Sequence, residues 1–132
     1  MADDVMPLFA RSCALSSSCH QGDAGEGIED LGLGPNNENS PAPDTVLQGI
    51  RDQLVSQAPL RSPLPFVEPG DPNGSWLMAK ITYASTDLPI CSECSDNCGE
   101  NMPQDDDNPD NGLTPGEREV IAAWILDGAE NN

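Results

Sequence analysis

Aromatic residues, basic residues and histidine are all scarce in this chain of 132 residues. Phe, Trp and Tyr together make up 4% of the chain and apolar residues 36%, so only a thin core can form. A small domain of this kind often needs a cross-link or a bound group for stability. No apolar run approaches the roughly 18 residues of a membrane-spanning helix. The length predicts one domain over residues 1–132.

The charge of the chain is strongly one-sided. Acidic residues number 23 against 5 Lys and Arg, which gives a formal net charge of -18. Such a field excludes nucleic acid and anionic membrane surfaces as good partners and favours a basic protein. The solubility of a secreted domain explains the same acidity equally well.

The cysteine content points to an oxidising compartment, because five cysteines in a short chain are unusual in the cytosol. The first four residues are Met-Ala-Asp-Asp, and neither the basic nor the apolar part of a signal peptide follows them. We therefore expect a mature form that works in the periplasm or is secreted.

The hydrophobic periodicity predicts an all-α fold in which short helices alternate with long loops. Asp3 or Asp4 can cap a first helix that extends to about Cys13, and Asp44 or Thr45 can cap a second. The apolar stripe of the second helix consists of Val46, Leu47, Ile50, Leu54 and Val55. Residues 21–43 and 84–113 are predicted to be loops.

Two further helices are predicted in the second half of the chain, and nothing there alternates like a strand. Asn73 or Ser75 can start a short third helix. Thr114 can cap the last helix, with Pro115 at its first position and Glu117 completing a capping box. The predicted buried face of that helix holds Val120, Ile121, Trp124 and Ile125, and Gly128 can end it.

The most informative motif is Cys13-Ala14-Leu15-Ser16-Ser17-Ser18-Cys19-His20, in which two cysteines precede the only histidine. The pattern C-x-x-C-H is typical of covalent haem c attachment: each thiol adds to a haem vinyl group, and the imidazole lies beneath the iron. Here five residues separate the cysteines instead of the usual two. Neutral imidazole is a good iron ligand, and His20 is the sole candidate.

The order of these parts resembles that of the class I c-type cytochromes. In that fold the two terminal helices cross and contact each other through aromatic residues. Phe9 on the first helix and Trp124 on the last are the corresponding residues here. The segment Cys98–Pro103 resembles the Met-Pro loop of the family.

Three other segments carry the same resemblance. Leu113–Glu117 and Trp124–Ala129 are similar to the L-T-x-x-E and W-I-x-x-G-A ends of many bacterial cytochrome c-like domains. Pro69–Leu77 resembles the P-G-D-P-x-x-S-x-L stretch of one subgroup. Together the matches extend over residues 5–129 in the expected order.

The resemblance implies a class I cytochrome c-like fold around one covalently bound haem c. Cys13 and Cys19 would hold the haem, and His20 and Met102 would be its axial ligands. A thioether ligand raises the reduction potential relative to two histidines. An iron with both axial positions filled has no open site for a substrate, so the expected role is single-electron transfer and not enzymatic catalysis.

A backbone carbonyl should accept the second ring proton of His20 and so fix the ring. In many class I cytochromes a Gly-Pro step supplies that carbonyl, which here indicates Pro35. The expected walls of the haem pocket are Phe66, Val67, Trp76 and Leu77.

The long gap between the first two cysteines leaves two attachment schemes open. If both hold haem, Cys91, Cys94 and Cys98 remain, which allows one disulfide and one free thiol. If only Cys19 is attached, four cysteines remain and all could pair. The resemblance favours two thioethers, with a bridge from Cys98 to Cys91 or Cys94 closing the loop before the Met-Pro step.

Two other classes of protein are compatible with the sequence. One is a haem-free, disulfide-stapled secreted domain that keeps the fold for a binding or structural role. The other is a haem sensor or enzyme subunit in which Met102 leaves the iron. For electron transfer, the expected partner is a basic redox protein, and the resemblance allows for a subunit of a larger electron-transfer assembly.

Overall fold

The computed structural model of the protein describes residues 1, 3–16, 19–27, 30–35, 42–59, 62–82, 102–103 and 112–131. Four α-helices lie in these ranges, namely α1 (Met6–Ser12), α2 (Asp44–Ser56), α3 (Trp76–Thr82) and α4 (Pro115–Leu126). Their extended backbone pairs only in one isolated antiparallel bridge, between Gly22 and Gly34. The described part of the chain is therefore all-α, as predicted.

None of the four described helices has both the length and the apolarity needed to cross a bilayer.

The start of α4 follows the predicted capping box. The Thr114 hydroxyl accepts a hydrogen bond from the Glu117 amide at 3.3 Å, and the Glu117 carboxylate accepts one from the Thr114 amide at 2.8 Å. The end also agrees with the prediction, because Gly128 adopts a φ of 98° just after the helix and donates its amide to Ile125. Both termini of α4 were therefore readable from local sequence.

The predicted caps of the first two helices were wrong. Neither Asp3 nor Asp4 caps α1, because the carbonyl of Met1 accepts the amides of Val5 and Met6 and the chain enters the helix on backbone bonds. In α2 the N-cap is Pro43 and no side chain caps the helix. Asp44 is its first helical residue, so its charge lies in the first turn.

The core draws apolar side chains from all four helices. Its members on the helices include Phe9, Ile50, Leu54, Ile81, Ile121, Trp124 and Ile125. Val120 was predicted to share the buried face of α4 and is 38% exposed. Each residue turns a helix by about 100°, so Val120 lies beside the buried stripe of Ile121 and Trp124 and not within it.

Side chains of α4 contact both α1, near the start of the chain, and α3. The guanidinium of Arg11 in α1 lies 2.7 Å from the carboxylate of Glu117. Arg118 donates to the carbonyl of Ile81 in α3 at 3.3 Å. Helix α4 therefore packs beside α3 and is joined to α1 by an ion pair.

The segment that precedes α3 is held by its own side chains. The Asp71 carboxylate accepts the amide of Gly74 at 3.0 Å. The buried Ser75 hydroxyl accepts the amide of Glu68 at 2.9 Å and donates to the carbonyl of Asp71 at 2.8 Å. These bonds give the P-G-D-P-x-x-S stretch a structural role, which is to shape the turn that directs the chain into α3.

Candidate haem-attachment site

Cys13 and His20 meet through their backbones at the end of α1. Cys13 is the C-cap of that helix, and the amide of His20 donates to the carbonyl of Cys13 at 3.1 Å. The carbonyl of Ser16 accepts the amides of Cys19 and Gln21. These backbone bonds hold His20 beside the end of α1.

The ring of His20 is oriented by a backbone carbonyl. Its Nδ1 lies 3.0 Å from the carbonyl oxygen of Leu31. Because a carbonyl can only accept, the proton lies on Nδ1, and the neutral ring then carries its lone pair on Nε2. This is the tautomer that presents Nε2 to a metal.

The prediction that Pro35 supplies this carbonyl was wrong, because the oxygen that contacts the His20 ring is that of Leu31. The amide of Leu33 donates to the carbonyl of His20 at 2.7 Å, and Gly22 and Gly34 exchange backbone bonds at 2.9 and 3.0 Å. This pairing sets residues 31–34 against residues 20–22. The residues that pair with His20 and Gly22 thus precede Pro35, which is exposed.

The two cysteines of the motif are both unpaired but differ in accessibility. Cys13 is buried and Cys19 is half-buried. Burial raises the pKa of the Cys13 thiol to about 12, the nearby Cys19 adds to the rise, and Arg11 opposes it. Because the thiolate is the reactive form, Cys13 is a poor nucleophile in the folded chain, and Cys19 is the more accessible of the two thiols.

Met102 and two of the predicted pocket residues form partly exposed apolar surface. The amide of Met102 donates to the carbonyl of Lys80 near the end of α3 at 2.8 Å. Its side chain, with those of Phe66 and Leu77, packs against the core while remaining half-buried. These are properties that a wall against an apolar group requires.

The other two predicted pocket residues are integrated into the protein interior. Val67 is fully buried in the core, and its amide donates to the carbonyl of Leu54 at 2.9 Å. Trp76 is 6% exposed, and the ammonium of Lys80 lies 5.6 Å from the centre of its ring. The structure thus gives both residues a packing role.

The predicted bridge among Cys91, Cys94 and Cys98 lies outside the described residues, as does the acidic run at 105–110. Within the described ranges, no three His, Cys, Asp or Glu side chains gather into a set that could hold a metal ion. A depression of about 600 Å³ lies elsewhere, between the N-terminal segment and α4. Its lining includes Asp3, Val5 and Trp124 but none of the predicted haem ligands.

Two residues that contribute to the site were missed by sequence reasoning. Leu31 contacts His20 through its backbone oxygen, and no side-chain pattern in a sequence predicts a backbone contact of this kind. Gln53 is buried on α2 and bonds to the loop that carries Leu31. The available signal was its position three residues after Ile50, on the apolar face of the helix, where a polar side chain needs partners.

No protein family, curated protein or solved structure matches the chain.

Proposed function

We propose that this chain is a class I cytochrome c-like electron-transfer protein with one covalently bound haem c. The observation that best supports the proposal is the orientation of His20. Its Nδ1 is bound to the Leu31 carbonyl, its amide is bound to the Cys13 carbonyl, and Cys13 and Cys19 are unpaired. An oriented imidazole together with unpaired thiols is the donor set that haem c attachment requires.

Each residue of the site has a stated part in the proposal. Cys19 and Cys13 would hold the haem through thioethers, and His20, through Nε2, and Met102 would be the ligands of its iron. The Leu31 carbonyl holds the tautomer and increases the basicity of the ring. When bound, the haem supplies a one-electron iron couple, and a thioether ligand favours its reduced state. The half-buried side chains of Phe66 and Leu77 would shield the haem from water.

Intact mass after denaturation tests the attachment directly. The native chain should exceed its polypeptide mass by one haem, and a haemochrome spectrum should separate one thioether from two. Cys19→Ala should lose a thioether, whereas Cys13→Ala decides whether the buried cysteine contributes. A native mass equal to that of the bare chain contradicts the proposal.

The absorption spectrum of the ferric protein tests the role of Met102. A sulfur–iron charge-transfer band should lie near the red end of the visible range, and Met102→Ala should abolish it. The same change should lower the reduction potential, because the soft ligand that favours reduced iron is lost. Met78→Ala is the matched control, since Met78 is also half-buried against the core. Loss of the band in the control alone would assign the ligand to Met78.

The proposed partner is a basic redox protein met outside the cytosol, and no catalytic reaction is proposed. The support is the net charge of -18. Salt screens charges over about 8–10 Å at ordinary ionic strength, so it should slow electron transfer with a basic partner. An acidic redox protein of similar potential should show the opposite trend. A rate independent of salt for both would leave the acidity with a role in solubility alone.

A further inference from the structure

Gln53 is the one polar side chain of α2 that lies among its buried residues, and both ends of its amide have partners on the loop at 20–34. Its side chain is 8% exposed, and it lies beside Leu54, which is fully buried. Oε1 accepts the amide of Gly25 at 2.5 Å, and Nε2 donates to the carbonyl of Gly32 at 3.2 Å. Because the oxygen faces an N–H and the nitrogen faces a carbonyl, only this orientation of the amide satisfies both bonds.

The carbonyl that Gln53 holds belongs to the residue next to Leu31. Leu31 binds the His20 ring at 3.0 Å, and Leu33 returns its amide to the His20 carbonyl at 2.7 Å. Gly32 lies between these two contacts. A shift of Gly32 would therefore move the oxygen that fixes the tautomer and direction of the His20 ring.

The second partner of Gln53 is the amide of Gly25, which precedes Gly32 in the same loop. The peptide at Gly27, two residues further on, passes so close to the site that a Cβ there would lie 2.7 Å from the Leu31 oxygen and 3.2 Å from the His20 Cα. The backbone at Gly27 is therefore packed closely between Leu31 and His20. The buried amide of Gln53 connects α2 to two backbone positions of this loop, Gly25 and Gly32.

We infer that Gln53 is a positioning residue, which holds the Leu31 carbonyl against His20 Nδ1 and so sets the direction and basicity of the imidazole. This inference deepens the proposed function and rests on it only for the consequence at the iron. A ligating imidazole that donates a firm hydrogen bond is more electron-rich, which stabilises oxidised iron. Gln53 would therefore lower the reduction potential of a bound haem through the Leu31 carbonyl and the His20 ring.

Hydrogen exchange measured by NMR on the purified protein, in its reduced form, tests the positioning role. Gln53→Leu removes both amide bonds and nearly conserves volume. It should speed exchange of the His20 Nδ1 proton and of the Gly25 amide by about tenfold or more, because protection follows local hydrogen bonding. Gln48→Leu is the matched control, since Gln48 is exposed on the same helix. The control should change neither rate.

Gln53→Glu separates the two halves of the contact and serves if the leucine variant does not fold. Its ionised carboxylate can still accept the Gly25 amide but cannot donate to Gly32. The Gly25 amide should therefore stay protected while the His20 Nδ1 proton exchanges faster. The reduction potential is compared with that of the wild-type chain in the haem-loaded Gln53→Leu variant, where no charge is added, and it should rise.

The outcomes separate this inference from the proposed function. Faster exchange at Gly25 with an unchanged His20 proton would overturn the inference, because Gln53 would then only pin the loop. An unchanged potential in a haem-loaded variant whose His20 proton exchanges faster would overturn the electronic part. A chain without haem would contradict the proposed function, while the exchange rates would still decide whether Gln53 positions His20.

Discussion

The described residues of the loop at 20–34 and those of the turn at 65–75 both lie outside the α-helices, yet they are held in different ways. In the turn, Asp71 and Ser75 bond to backbone groups three to seven residues away. In the loop, His20 reaches eleven residues to Leu31, and Gln53 reaches back 21 and 28 residues to Gly32 and Gly25. The turn is specified locally and the loop by the rest of the fold.

Gly32→Ala should have the largest effect on the free energy of unfolding, because the loop has no space for a side chain at Gly32. A Cβ at Gly32 would overlap the Asp23 carbonyl and lie 2.7 Å from the Gly22 oxygen. Both are backbone atoms, so the chain must move on both sides of the bridge. We expect a loss of about 3 kcal/mol or more in the free energy of unfolding, measured by urea titration.

Gly70→Ala is the corresponding change in the turn. Gly70 has a φ of 85°, but a Cβ there would meet nothing within 4 Å. The cost should be that of a left-handed residue alone, roughly 1–2 kcal/mol. Equal losses for the two alanine variants would refute the contrast between a loop without space and an open turn.

Ser75→Ala should have the next largest effect, since it removes the side chain on which the turn depends. The hydroxyl is fully buried and makes two hydrogen bonds. Their loss should cost about 2 kcal/mol in the free energy of unfolding. Ser62→Ala is the control, because Ser62 is half-buried and accepts one bond, from the Leu64 amide. If both variants unfold at the same urea concentration, the turn does not depend on Ser75.

The smallest effect is expected at the contact between α1 and α4, which lies outside both regions. The hydrogen bond from Arg11 lowers the pKa of Glu117 from 4.5 to about 2, with the Thr114 amide contributing. A lowered pKa means that the ionised form stabilises the folded state above the unfolded pKa, and that this contribution is lost as the pH falls towards 2.

Glu117→Gln keeps the capping box and removes the charge. It should cost about 1 kcal/mol at neutral pH, and the difference from the wild-type chain should vanish as the pH approaches about 2. Unfolding followed by circular dichroism across this range checks the prediction. Glu119→Gln, at an exposed position of the same helix, should show no such convergence.

The same contrast explains what could be predicted from sequence. The capping box of Thr114 and Glu117 and the apolar stripe of α2 were correct, because side chains at fixed spacing carry those signals. The caps of α1 and α2 were wrong because backbone bonds around Val5 and Pro43 start those helices without a side chain.

The site itself was only partly predictable. The motif brought Cys13, Cys19 and His20 to attention through their chemistry. The oxygen of Leu31 could not be found, since every residue has a carbonyl and only the pairing of distant segments selects one. Gln53 carried a weak signal, a polar residue on an apolar helix face, but its partners lie in a loop without periodicity.

The burial of Cys13 restricts the stage of folding at which its thiol can react. A thiol that is 9% exposed and has a pKa of about 12 neither ionises at neutral pH nor meets a bulky electrophile. Any bond made through Cys13 therefore has to form before α1 settles against the core. Cys19 is open to reaction afterwards. In the proposed haem protein, the number of thioethers would therefore depend on whether Cys13 reacts before α1 packs against the core, and slower packing should raise that number.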